Sequence, residues 1–153
     1  MKRYRPLLLT MLLGLLVLPA AFYLLLGSPV RLYYNHQLKQ ALREPPPAAE
    51  TVTLNTLIPF AWDTVYTFGP YTSRAEMEAA IGIRDPHLPE SIDESQRPLV
   101  VVENGRVRAC VCGYPSAMGF SVQFQTDTVA RTDCTVFRVQ RTPEHIKYTQ
   151  ILP

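Results

Sequence analysis

The stretch from Leu7 to Leu26 holds 20 residues without a single charge. As a helix rising 1.5 Å per residue it covers about 30 Å, the thickness of a bilayer's hydrocarbon core. Lys2, Arg3 and Arg5 precede it. A retained anchor suits this segment better than a cleaved signal peptide, whose apolar region is shorter and ends in a small-x-small site. A cut after Ala21 puts Pro19 at the third position back and leaves the apolar Phe22 to Leu26 on the product. A cut after Ser28 puts Leu26 there, which is equally poor. The three cysteines are Cys110, Cys112 and Cys134, so none follows the apolar run as a lipid-attachment residue. Pro19 is expected to kink the helix, as membrane helices tolerate. The tight basic cluster at the start favours an inward amino terminus, with the rest of the chain outside the cytoplasm.

Beyond the run the chain changes character. It has 15 Lys and Arg against 13 Asp and Glu, and setting aside the three cations at the amino end leaves 12 against 13, a net of −1. The body has no cationic surplus with which to hold a nucleic acid backbone. With 47% hydrophobic and only 18% charged residues, disorder is also excluded. We therefore read residues 1–28 as a cytoplasmic basic end and transmembrane anchor, 29–50 as an amphipathic helix and Pro-rich linker, and 51–153 as an extracytoplasmic domain.

Tyr34, Leu38, Ala41 and Leu42 recur at helical spacing, so a short amphipathic helix is expected there. Packing on its own domain suits it better than lying on lipid, because a single Lys39 makes no basic face. Pro45-Pro46-Pro47 ends it, and Arg43 to Glu50 reads as a stiff spacer. The folded domain is expected to start near Thr51.

Phe60 to Phe68 is aromatic and β-branched, hence a strand. Alternation puts Trp62, Thr64, Tyr66 and Phe68 on one face and Ala61, Asp63, Val65 and Thr67 on the other. Ser73 and Glu76 make a capping box for a helix over Arg74 to Ile81, with Gly82 as its C-cap. Asp85 to Arg97, carrying Pro86 and Pro89, is a long loop. Asn104-Gly105 between two valine-rich runs predicts a hairpin with a type I′ turn. Its inner face is expected to hold Val100, Val102, Val107, Ala109 and Val111, and its outer face Val101, Glu103, Arg106, Arg108, Cys110 and Cys112, with Glu103 facing Arg106 across the turn. Phe120 to Thr126 and Thr135 to Gln140 continue the meander, and Thr149 to Leu152 adds a short fifth strand. The expected fold class is α+β: a transmembrane helix, then a small antiparallel sheet of four or five strands packed with one or two helices.

Catalytic patterns are missing from this reading. Cys110 and Cys112 stand two apart in a strand, with Cα atoms about 6.5–7 Å apart, too far for an ideal disulfide. Cys134 could bridge one of them only if its strand adjoined theirs, whereas a meander sets them about 9.5 Å apart. The spacing of the cysteines with His145 fits no usual zinc pattern. His36, His87 and His145 are scattered, the crowded Glu90, Asp93 and Glu94 read as a solvated loop, and the seven glycines form no phosphate-binding motif. No metal, cofactor or enzymatic activity is expected. The aromatics carry more weight. Trp62 is expected to be mostly buried and Tyr114 at least partly exposed. Asp63, unexpected in so apolar a strand, should pair with Arg108 or cap the strand start. Trp62, Asp63, Tyr71 and Tyr114 are the candidate binding residues.

The run from Phe60 to Tyr71, then a capped helix ending Ile81-Gly82, resembles a family of small bacterial lipoproteins and membrane-anchored proteins with a W-D-x-V-Y-x-F-x-P-Y signature. That family's V-x-N-G-x-V hairpin and Y-P…G-F segment match Val101 to Val107 and Tyr114-Pro115…Gly119-Phe120. The resemblance covers about residues 55 to 124. Unlike the lipoprotein members, this chain has no lipobox cysteine, so its anchor would be the helix itself. The resemblance implies an envelope location and an α+β domain, and supplies no active site. A looser fold-level similarity links it to small periplasmic modules of the outer-membrane assembly lipoprotein and β-lactamase-inhibitor type. The expected function is that of a single-pass, membrane-anchored extracytoplasmic domain that binds a protein or envelope partner. The alternatives are a small thiol or redox protein using Cys110 and Cys112, and a protein secreted by signal cleavage.

Overall fold

The structure is a computed structural model that describes Leu15, Val17 and residues 28–152. The apolar run lies outside the described residues apart from Leu15 and Val17, which are helical. No helix among the described residues is long and apolar enough to cross a membrane.

The elements follow in order: α1 (Pro29–Arg43), β1 (Thr51–Thr53), α2 (Leu54–Leu57), β2 (Thr64–Thr67), α3 (Arg74–Ile81), β3 (Leu99–Glu103), β4 (Arg106–Val111), α4 (Pro115–Met118), β5 (Phe120–Gln123), β6 (Thr128–Ala130), a 3₁₀ turn (Arg131–Asp133), β7 (Val136–Arg141) and β8 (Ile146–Ile151). The α+β class stands, but the strands form two four-stranded sheets, ordered β1-β7-β8-β5 and β4-β3-β2-β6. The expected meander is broken after β4. Instead of pairing with the hairpin, β5 runs parallel to β8 in the other sheet, with Phe120 opposite Ile146 and Gln123 opposite Thr149. A three-residue strand, β6, takes the outer place beside β2.

One face of each sheet meets the other sheet in a shared core. Val65, Val101, Ala109 and Val111 come from one side and Phe120, Phe137, Val139 and Tyr148 from the other, with Leu38 and Leu42 of α1 completing it. A second, smaller core lies behind β3 and β4, where Met77 and Ile81 of α3 pack with Leu88, Val100, Val102 and Cys110. Strand β3 is thus buried on both faces, which accounts for its unbroken Leu-Val-Val-Val run.

The hairpin turn forms as expected, with Asn104 at φ 49° and Gly105 at φ 67°. Glu103 stands opposite Arg106, yet one step further the register slips. Val102 pairs with Val107, whereas Val101 pairs with Ala109, leaving Arg108 as the extra residue of a bulge. The slip inverts every face beyond it. Ala109 and Val111 join Val101 in the main core, and Cys110 joins Val100 in the second one, the reverse of a regular hairpin. The Arg108 guanidinium, freed from the ladder, pairs with Glu103 and lies 5.7 Å from the Tyr34 ring centre. The favourable partner of Glu103 is therefore Arg108, not Arg106.

The helix α3 begins at the predicted capping box. The Ser73 N–H donates to Glu76 Oε2 at 2.8 Å, the Glu76 N–H donates to Ser73 Oγ at 3.3 Å, and Gly82 closes the helix at φ 68°. The α1 helix corrects the expected domain start. Leu38 and Leu42 are buried in the main core. Asn35 Oδ1 accepts the outward N–H of Cys110 at 2.7 Å, so the helix also covers the edge of β4. Arg31 Nη1 meets Asp85 Oδ2 at 2.6 Å and fastens the helix to the long loop. The packed unit therefore reaches back to Pro29 rather than starting near Thr51. Nor is the proline segment a free spacer: Arg141 donates to the Pro46 carbonyl at 2.7 Å and to the Ala49 carbonyl at 3.1 Å, and the Val139 N–H to the Glu50 carbonyl at 2.8 Å.

Candidate binding cleft

The four expected binding residues part company. Trp62 is only 2% exposed, in the main core beside Val65. Phe60 to Asp63 is not strand, so the backbone turns before β2 and Trp62 leaves the Tyr66 face assigned to it by alternation. Its Nε1 has no hydrogen-bond partner among the described residues. Asp63 serves the hairpin rather than a ligand: its Oδ2 accepts the Asn104 N–H at 2.6 Å, and its own N–H donates to the Val102 carbonyl at 2.8 Å. The expected Asp63–Arg108 pair does not form, because the bulge turns Arg108 towards Glu103.

Tyr71 and Tyr114 are exposed, and one loop brings them into a common neighbourhood. Tyr71, at φ 60°, donates its N–H to Ser91 Oγ at 3.1 Å. Ser91 Oγ in turn donates to the Gln96 carbonyl at 2.9 Å, and Gln96 Oε1 accepts the Ile92 N–H at 3.1 Å. The Asp93 carboxyl is held below its ordinary value chiefly by the Ser95 hydroxyl and N–H, with a smaller contribution from the Tyr114 hydroxyl. The segment 91–96 is thus a folded loop held by bonds within itself and by the Ser91 N–H donating to the Thr72 carbonyl at 3.2 Å. It presents Ile92, 73% exposed, between Ser91, which Tyr71 contacts, and Asp93, which Tyr114 contacts.

Beside this loop runs a cleft of about 780 Å³ between strand β5 and one end of the opposite sheet. The size falls within the range of small ligand and peptide sites. Phe68, Met118 and Phe124 supply apolar wall, while Arg97, Lys147 and His145 supply cationic or titratable groups against a single carboxylate, Asp127. Arg43 closes the neighbouring surface by donating to the Met118 carbonyl at 2.6 Å, and the buried Tyr148 hydroxyl donates to the Leu42 carbonyl at 2.8 Å, fixing the helix end to the sheet. Sequence reasoning missed the cleft because its walls come from segments distant in the chain. The one visible signal was the length of the loop from Asp85 to Arg97, which forms part of the rim.

The cysteines are all free. Burial pushes the Cys110 thiol up to about 12 and raises Cys112 as well. A thiol in that state is a poor nucleophile at neutral pH, since the thiolate is the reactive form. Cys134 is exposed and stands far from the pair in sequence, in a left-handed conformation at φ 47°. Among the described residues no three His, Cys, Asp or Glu side chains converge on a possible metal position.

No family model, curated protein or solved structure matches the chain.

Proposed function

We propose that the protein is a membrane-tethered interaction module, exposed outside the cytoplasm, whose cleft and tyrosine-bearing rim engage a protein or envelope partner. The observation that carries this reading is the cleft itself, preformed and lined by Gly113 and Pro115 on either side of the exposed Tyr114 and by Ser95 and Arg97 of the loop that the exposed Tyr71 contacts through Ser91. Tyrosine supplies large contact area at small entropic cost, which suits an anchor at an interface. The charge-free run of Leu7 to Leu26 supports the tether, and the family resemblance of Phe60 to Tyr71 supports an envelope location.

The fold adds a consequence for distance. Since α1 packs into the core, only Gly27 and Ser28 separate the apolar run from the folded unit. The exposed Val30, Leu32 and Tyr33 of the first turns would then lie against the bilayer surface, and the proline segment provides no stand-off. The thiol alternative is weaker, because Cys110 is buried and its thiol is held protonated.

Exposed Cys134 is a natural reporter of topology. The protein should resist alkaline carbonate extraction from membranes, and a membrane-impermeant maleimide should label Cys134 in spheroplasts. A carbonate-soluble protein would refute the tether. Labelling only after lysis would refute the orientation.

A further inference from the structure

We propose that the cleft captures an extended, acidic segment of a partner protein, which adds to the first sheet as a fifth strand along the open side of β5. The inference rests on the module reading above and names its ligand class. Among the described residues β5 pairs on one side only, with β8. The Ile146 N–H donates to the Gly119 carbonyl at 3.0 Å, and this bond sets the alternation of the parallel ladder. The backbone groups of Ser121 and Gln123 turn to β8, while those of Phe120, Val122 and Phe124 face the open side. The Gln125 N–H keeps the same phase, donating to the Gln150 side chain on the β8 side at 2.7 Å.

Phe120 is buried in the core, so the accessible edge runs over the four residues 121–124, roughly 13 Å at the usual strand rise. The β4 edge of the second sheet is treated differently. There α1 covers β4, and Asn35 takes up the Cys110 N–H. An edge left bare inside a cleft is a template for main-chain pairing, the basis of strand-addition recognition. The charge around it selects the occupant. Arg97 and Lys147 line the cleft against the single Asp127, so an acidic strand is attracted and a basic one repelled.

The experiment screens the full chain, held in lipid nanodiscs, against a phage library of random dodecapeptides. The expected result is enrichment of acidic, strand-forming peptides whose binding slows amide exchange at Val122 and Phe124. Val122→Pro removes an open-side N–H while sparing the ladder to β8, as edge strands allow. It should weaken binding at least tenfold, with Lys147→Glu also weakening it. N-methylation of every second residue of a selected peptide should abolish binding in one phase and spare it in the other, a result that does not depend on how the variant folds. Enriched peptides that are basic, or that lack this two-residue alternation, would overturn the proposal. Protection confined to 91–96 with β5 unchanged would overturn strand addition while keeping the module reading. A dimer that protects the same β5 amides without peptide would make a second copy the occupant and overturn the proposal equally. An absence of any enriched peptide overturns it too, and leaves the module reading to crosslinking in native membranes.

Discussion

Arg31→Met is the perturbation whose cost follows most directly from the structure. Arg31 lies in the first turn of α1 with its side chain 10% exposed, and its partner Asp85 is 15% exposed. Besides the 2.6 Å contact to Asp85, Arg31 Nη2 donates to the His87 carbonyl at 3.3 Å. Removing one partner of a buried pair costs about 3–5 kcal/mol, because the other charge stays behind without compensation. Asp85 retains the His87 N–H on Oδ1 at 2.9 Å and has some access to water, so the lower end, about 3 kcal/mol, is expected. For a domain of this size that lowers the melting temperature by roughly 10 °C. Urea unfolding of the full chain in detergent measures it. Arg31→Met combined with Asp85→Leu should recover most of the loss, since neither charge is then stranded. A single variant within about 0.5 kcal/mol of wild type, the size of an ordinary surface change, would refute the claim that α1 is clamped into the fold.

Three further outcomes are expected. In the native protein a thiol reagent at pH 8 should modify Cys134 first, Cys112 slowly and Cys110 only on unfolding, read by mass spectrometry of the labelled peptides. Stability should fall as pH rises from about 9 to 12. Burial holds the Cys110 thiol and the Tyr148 phenol near 12 in the folded state, against 9.0 and 10.0 for the free groups, so only the unfolded chain releases these protons in that window. Denaturant midpoints across the window check the sign. Ser73→Ala should cost about 1 kcal/mol by removing the α3 cap, measured by urea unfolding, while Ser73→Asp, which keeps a capping oxygen, should cost less.

How far the sequence carried depends on the range of each interaction. The Asn104-Gly105 turn and the Ser73–Glu76 box were legible because their chemistry is complete within four residues. In β7, alternation puts Phe137 and Val139 on one face, and both are buried. One residue defeated the hairpin faces. The bulge at Arg108 leaves no mark in a run of alternating valines, yet it moves Cys110 from the expected outer face into the second core. The strand expected from Phe60 starts only at Thr64, because Asp63 is committed to the hairpin turn, 41 residues away. Partnership between β5 and β8 depends on the whole fold, and so does the cleft it creates. Tyr71 and Tyr114, expected as aromatic anchors, are exposed. Trp62, chosen on the same chemistry, was claimed by the core.

On the proposed reading, the cleft beside β5, and no other face of the domain, meets the partner. Photocrosslinking in native membranes tests it directly, with a photoreactive residue placed in turn at Gln123 in the cleft, at Tyr114 on its rim and at Ala79 on the exposed side of α3. A discrete higher-mass adduct is expected from Gln123 and Tyr114 and none from Ala79. Adducts of equal yield from all three positions, or from Ala79 alone, would contradict it.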